Sequence, residues 1–88
     1  MILFHYVYMI ECCDGSYYTG YTIDLDKRMK KHKEGKGSKY VKLKGYKKLV
    51  YFEKYSDKIT AMKREYALKK SPRTYKMDLV SFFENKLE

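Results

Sequence analysis

Glu65, Arg28, His32, Tyr8 and Tyr18 are the side chains of this sequence whose types and settings point to chemistry. A helical period of about 100° per residue through 58–70 gathers Ala61, Leu68, Met62, Tyr66 and Ile59 on one broad arc, and Glu65 falls among them. A carboxylate facing a core is costly unless a cation or a metal holds it. Two readings stand open: a structural ion pair, for which Lys69 projects near the same arc, and a functional carboxylate. Arg28 and His32 lie one turn apart on another helical stretch, a permanent cation beside an imidazole that titrates near neutral pH. Taken singly, Arg28 reads as a solvated residue and His32 as a half-buried ring. Tyr8 and Tyr18 are two of eleven tyrosines, most of which must serve packing. The five carry weight as a set.

The elements that would position them follow from the apolar pattern. Residues 3–12 are aromatic and β-branched with apolar side chains on both parities, which describes a central strand covered on both faces. Cys13-Asp14-Gly15 reads as a turn and Ser16 to Tyr21 as the returning strand. A two-residue loop would put Tyr8 and Tyr18 on opposite faces. A three-residue loop with Gly15 at positive φ pairs Ile10 with Tyr18 and Tyr8 with Gly20, and places both tyrosines on one face. Asp24 caps a helix from Leu25 to about Glu34, with Leu25 and Met29 as its apolar stripe. The lysine- and glycine-rich stretch 35–48 reads as a basic loop with a helical turn around Ser38 to Leu43. Leu49 to Phe52 is a third strand. Ser56 or Asp57 caps a helix through Lys70, and Ser71-Pro72 opens a last helix with Pro72 as its first residue and Tyr75, Leu79, Phe82 and Phe83 as its packing face. The order ββαβαα makes residues 1–88 one α+β domain: a β-hairpin plus one strand, a three-stranded sheet flanked by three helices.

Composition narrows the class. The 88 residues suit one domain, and 44% apolar content supports a packed core. No run approaches the roughly 18 apolar residues of a membrane span, and the first residues read as a strand, not a secretory signal. Twenty Lys and Arg against eleven Asp and Glu give a net charge of +9, a field that attracts polyanions. Nucleic acid leads as partner, ahead of an anionic membrane or a merely solubilising surface. Only three of the twenty cations are arginine, so recognition leans on backbone and shape rather than base edges. Cys12 and Cys13 are adjacent and have no histidine at ligand spacing, which leaves neither a cross-fold disulfide nor a zinc site and suits a reducing cytoplasm.

Tyr6-Val7-Tyr8, then Tyr18-Thr19-Gly20, then Thr22, Arg28, His32 and Glu65, in that order and spacing, resemble the GIY-YIG nuclease superfamily over nearly the whole chain. The runs Asp14-Gly15-Ser16-Tyr17-Tyr18-Thr19-Gly20 and Gly35-Lys36-Gly37-Ser38-Lys39-Tyr40 are similar to its small stand-alone members. Tyr6, Val7 and Thr19 depart from the motifs at positions that alter strand packing and not the catalytic groups.

The resemblance implies a metal-dependent DNA endonuclease that hydrolyses phosphodiester bonds with one divalent ion, magnesium or manganese. Glu65 would be the sole protein ligand of that ion, and Arg28 would neutralise a non-bridging oxygen. Tyr8 or Tyr18 would be the base for the attacking water, its pKa lowered by neighbouring cations and the metal, the other would orient the water or phosphate, and His32 would accept the phenol's proton or hold the ring in place. Lys27, Lys30, Lys31, Lys36, Lys39, Lys42 and Lys44 would track phosphates. By analogy, the substrate would be single-stranded, branched or distorted duplex DNA, in repair or recombination, with a partner protein able to add specificity. A non-catalytic nucleic-acid-binding module with the same fold, and an RNA-binding module that stacks bases on tyrosines, are the rivals.

Overall fold

Val7, Tyr8, Met9, Ile10 and Cys12 are fully buried, because β1 (His5–Cys12) is the middle strand of a sheet covered on both sides. The computed structural model describes residues 3–87, with side chains through Asn85. Sheet order is β2-β1-β3, with both pairings antiparallel; β2 spans Tyr17–Thr22 and β3 spans Tyr46–Tyr55. Alternation along β1 sends Tyr8, Ile10 and Cys12 to one face, where they meet Met29 and Val41. Val7 and Met9 go to the other face, with Val50, Tyr51, Ala61, Leu68 and Val80. Each such large apolar side chain contributes about 1.5–3 kcal/mol by leaving water.

The hairpin takes the three-residue loop. Gly15 has φ 85°, and Cys12 forms backbone hydrogen bonds with Ser16 (2.8 Å) and Gly15 (2.9 Å). Tyr8 then faces Gly20 and Ile10 faces Tyr18, the register that parity required. Cys12 and Cys13 are both free thiols.

Four helices surround the sheet in the order α1 (Leu25–Lys33), α2 (Lys39–Lys44), α3 (Lys58–Lys70) and α4 (Arg73–Leu87). Asp24, Ser38 and Asp57 cap the first three by accepting from Lys27, Val41 and Thr60 N–H at 3.0, 3.0 and 2.8 Å. The helical turn expected at 38–43 is α2, a short addition to the ββαβαα order. Pro72 precedes α4 rather than beginning it, its carbonyl accepting from Lys76 N–H at 3.2 Å.

Three expectations need correction. β3 runs well beyond Leu49–Phe52, because backbone pairing with β1 continues into Tyr46-Lys47-Lys48, whose charged side chains an edge strand leaves in water. Register shifts let Met9 face Tyr51 while Ile10 faces Leu49, so Val50 bulges. On α3 the broad apolar arc is not a core face: Ala61 and Leu68 are buried, whereas Ile59, Met62 and Tyr66 are 65%, 44% and 60% exposed. On α4, Val80 is the buried residue with Leu79 and Phe83 packed beside it; Tyr75 and Phe82 are exposed.

Two polar links tie the layers together. The Glu53 carboxylate accepts from Tyr51 and Tyr55 hydroxyls and from Arg64 Nε and Nη2 at 2.9 Å, joining β3 to α3. Burial pushes its pKa up, but those hydrogen bonds outweigh it and hold the carboxyl below the usual range. Arg73 at the start of α4 donates to the Gly15 carbonyl at 2.8 Å and lies over the Tyr17 ring.

Candidate active site

Tyr8 crosses the sheet above Gly20, its partner on β2. A Cβ on Gly20 would stand 2.5 Å from Tyr8 Cζ, so only glycine lets the ring lie there. The phenol reaches α1, where its Oη is 2.8 Å from His32 Nε2. His32 is fully buried, not half-buried. Its other face is closed by Gly37, where a Cβ would be 2.5 Å from Nδ1, and Nδ1 has no hydrogen-bond partner among the described residues.

Tyr18 stands two residues from Gly20 on the same face of β2. Its ring centroid is 6.3 Å from that of Tyr8 and 5.5 Å from that of His32. It is half-buried, whereas Tyr8 is fully buried. Tyr40 of α2 stacks on it at 5.9 Å with planes 27° apart. Thr22 ends β2 by accepting from Asp24 N–H at 3.1 Å, which aims α1 at this cluster. Arg28, one turn before His32 and half-buried, lies near enough for its charge to act on both Tyr8 and His32. Glu65 comes from α3, which packs on β1 and β2. Its side chain is 16% exposed, and its carboxylate acts on Tyr8 through charge and pairs with Lys69 at 3.4 Å.

The fold therefore joins Tyr8, Tyr18 and His32 by direct contact and holds Arg28 and Glu65 within electrostatic reach of Tyr8. Burial pushes the Tyr8 phenol above its ordinary range, and the Tyr18 charge adds to this; the Arg28 cation opposes both and does not win. At Tyr8 desolvation outweighs the lowering that the Arg28 cation supplies. Burial, with Arg28 beside it, lowers His32 to about 4, so the imidazole is neutral at neutral pH.

No cluster of three or more His, Cys, Asp or Glu side chains able to hold a metal occurs among the described residues. The donor offered near the tyrosines is the single carboxylate of Glu65. One carboxylate suits a hard cation that keeps most of its waters, as magnesium does, and does not suit zinc.

All seven candidate lysines are exposed. Lys44 pairs with Asp14 at 3.4 Å; among the described residues the other six have no ion pair. Lys27 and Lys31 line a recess of about 260 Å³ together with Arg28, which Lys30 does not line. Gly37, Tyr40, Lys69 and Lys76 are neighbours of the site that residue type alone does not single out. Gly37 and Tyr40 fall inside the run 35–40 that carries part of the family resemblance; Lys69 stands out in the sequence only as a partner for Glu65.

No helix of the described residues is long and apolar enough to cross a membrane. Residues 4–78 match the family model described as the GIY-YIG catalytic domain. A UPF0213 protein of Staphylococcus saprophyticus is 47% identical over 77 residues, covering 88% of this chain and 94% of its own. A UPF0213 protein of Halalkalibacterium halodurans is 51% identical over 77 residues, covering 88% of this chain and 82% of its own. The solution NMR structure of the UPF0213 protein BH0048 from Bacillus halodurans superposes with a TM-score of 0.58 at 48% identity, over 91% of this chain and 85% of that one. With its motifs, its sheet order and these matches in agreement, the chain belongs to the GIY-YIG family.

Proposed function

We propose that this protein is a metal-dependent DNA endonuclease that selects its substrate by structure rather than sequence and acts in DNA repair or recombination. Membership of a nuclease family implies hydrolysis of nucleic acid. The observation that supports the finer reading is the buried Tyr8–His32 pair at 2.8 Å, with Tyr18 beside it and the Arg28 charge reaching both. A buried hydroxyl needs a partner even when its ring only packs, and His32 supplies it; what packing alone does not call for is the Arg28 charge and the half-exposed Tyr18 gathered beside that pair.

Tyr18 is the phenol we assign to the attacking water, because it is half-exposed while Tyr8 is enclosed and hard to ionise. Neutral His32 fixes the Tyr8 hydroxyl, and the enclosed Tyr8 ring holds Tyr18 in position beside it. Arg28 neutralises a non-bridging oxygen as the phosphorus gains its fifth ligand, a role that needs a permanent cation. Glu65 would hold a divalent cation, magnesium or manganese, which supplies charge stabilisation at the phosphate and the leaving oxygen. Lys27, Lys30, Lys31, Lys36, Lys39 and Lys42 track the phosphates, and Lys44 contributes less because Asp14 holds it. Single-stranded, branched or distorted duplex DNA is the substrate class, because the lysine-dominated cations suit backbone and shape more than base edges, and a partner protein can add specificity. The two free thiols suit a reducing cytoplasm.

The Lys69–Glu65 contact favours a second reading, a binding module in which that carboxylate is structural. Nicking of branched and single-stranded DNAs, with and without magnesium, separates the two. Magnesium-dependent cleavage that disappears in Arg28→Ala and Glu65→Ala while DNA binding survives supports the enzyme. Binding without cleavage on any substrate supports the module.

A further inference from the structure

A cleft of about 250 Å³ opens beside the candidate site, lined by Tyr17, Tyr18, Thr19, Tyr40, Lys69 and Lys76. It is joined to that site twice, through Tyr18 itself and through Lys69, whose ammonium touches Glu65 at 3.4 Å. Its volume falls below the roughly 300–1,000 Å³ of a pocket for a drug-sized ligand, and suits one flat ring. Tyr40 is 40% exposed although it stacks on Tyr18, so it keeps surface open to water at the cleft it lines. Lys69 and Lys76 come from α3 and α4, elements that supply none of the lysines in the basic loop.

We infer that this cleft is a nucleobase subsite, in which Tyr40 stacks the base next to the scissile phosphate and Lys69 and Lys76 hold the neighbouring backbone. The inference rests on the nuclease reading for its neighbour but concerns a different contact. Stacking on an aromatic ring is tolerant of sequence, since every base presents a π-face. A base can enter the cleft only when it is not stacked in a duplex, so the subsite selects an unpaired nucleotide at the cleavage position. Tyr40 is a specificity-determining residue on this account, held in place by Tyr18.

The test is fluorescence anisotropy in the absence of divalent metal, with a labelled twelve-nucleotide thymidine strand and a strand of equal length made wholly of abasic phosphodiesters. Wild type binds the thymidine strand more tightly than the abasic one. Tyr40→Phe keeps that preference, and Tyr40→Leu loses it by weakening thymidine binding about tenfold with abasic binding unchanged. Thermal melts of each variant confirm folding, and unchanged His32-ring chemical shifts confirm that Leu preserves the Tyr8–His32 pair. Equal affinity of wild type for the two strands, or an unaltered preference in Tyr40→Leu, overturns the subsite. Because no cleavage is measured, a base preference without magnesium-dependent nicking would defeat the nuclease reading alone, and nicking without a base preference would defeat the subsite alone.

Discussion

Gly20 carries no side chain because the Tyr8 ring occupies the place one would need: a Cβ there would lie 2.5 Å from Tyr8 Cζ. The glycine and the phenol are cross-strand partners, so the hairpin register and the placement of Tyr8 against His32 are one structural fact. Gly20→Ala is expected to destabilise by about 1–3 kcal/mol through overpacking and to lower nicking at least tenfold by displacing Tyr8. Urea denaturation and a nicking assay measure the two effects. A variant of wild-type activity would show that Tyr8 is not where the reaction needs it.

His32 gives the fold a dependence on pH. Its folded pKa of about 4 lies below the ordinary 6.5, so between those values the unfolded chain binds more protons than the folded one. Stability from this residue is full above about pH 6.5 and falls as pH drops toward 4, by a total on the order of 3 kcal/mol. Denaturation midpoints from pH 7 to 4.5 should show the decline. His32→Gln should flatten it, and an unchanged slope in that variant would assign the effect elsewhere.

The Glu53–Arg64 pair anchors α3, the helix that also carries Glu65. Replacing either partner with leucine leaves the other poorly paired. The cost should be about 2–3 kcal/mol, below the roughly 3–5 of a fully buried pair because Arg64 is 27% exposed. The double leucine variant should be destabilised less than either single one, measured by the same denaturation.

Lys27 and Lys31 share a recess with Arg28. Lys27→Ala with Lys31→Ala should reduce the slope of log affinity against log salt by about 0.7 for each phosphate of single-stranded DNA that the variant no longer neutralises. Lys44→Ala should change it less, since Asp14 already neutralises that ammonium. Anisotropy titrations over a salt series decide this, and equal slopes for both variants would remove Lys27 and Lys31 from the phosphate path.

The hairpin is legible in the sequence because two constraints agree: Gly15 is the residue that tolerates positive φ, and only a three-residue loop puts Tyr8 and Tyr18 on one face. The α3 arc misleads because helical spacing shows which side chains share a direction and not how wide a strip the neighbouring sheet covers. Ala61 and Leu68 meet the sheet; Ile59, Met62 and Tyr66 overhang it. The length of β3 is hidden because a strand paired along one edge takes its extent from its neighbour's backbone, which Lys47 and Lys48 do not advertise. Arg28, His32 and the tyrosines can be picked out by type and order. Lys76 cannot, and Tyr40 shows only as part of the run 35–40, since their nearness to Tyr18 arises only when α2 and α4 fold back on the hairpin.

The link from Arg73 to the Gly15 carbonyl fastens the last helix onto the first turn. The contact spans 58 positions of sequence, so the turn that leads into the strand bearing Tyr18 is tied to a helix formed much later in the chain. Arg73→Met, which leaves the α4 core residues Leu79, Val80 and Phe83 in place, should therefore blur the geometry around Tyr18, even though none of the five proposed active-site side chains is altered.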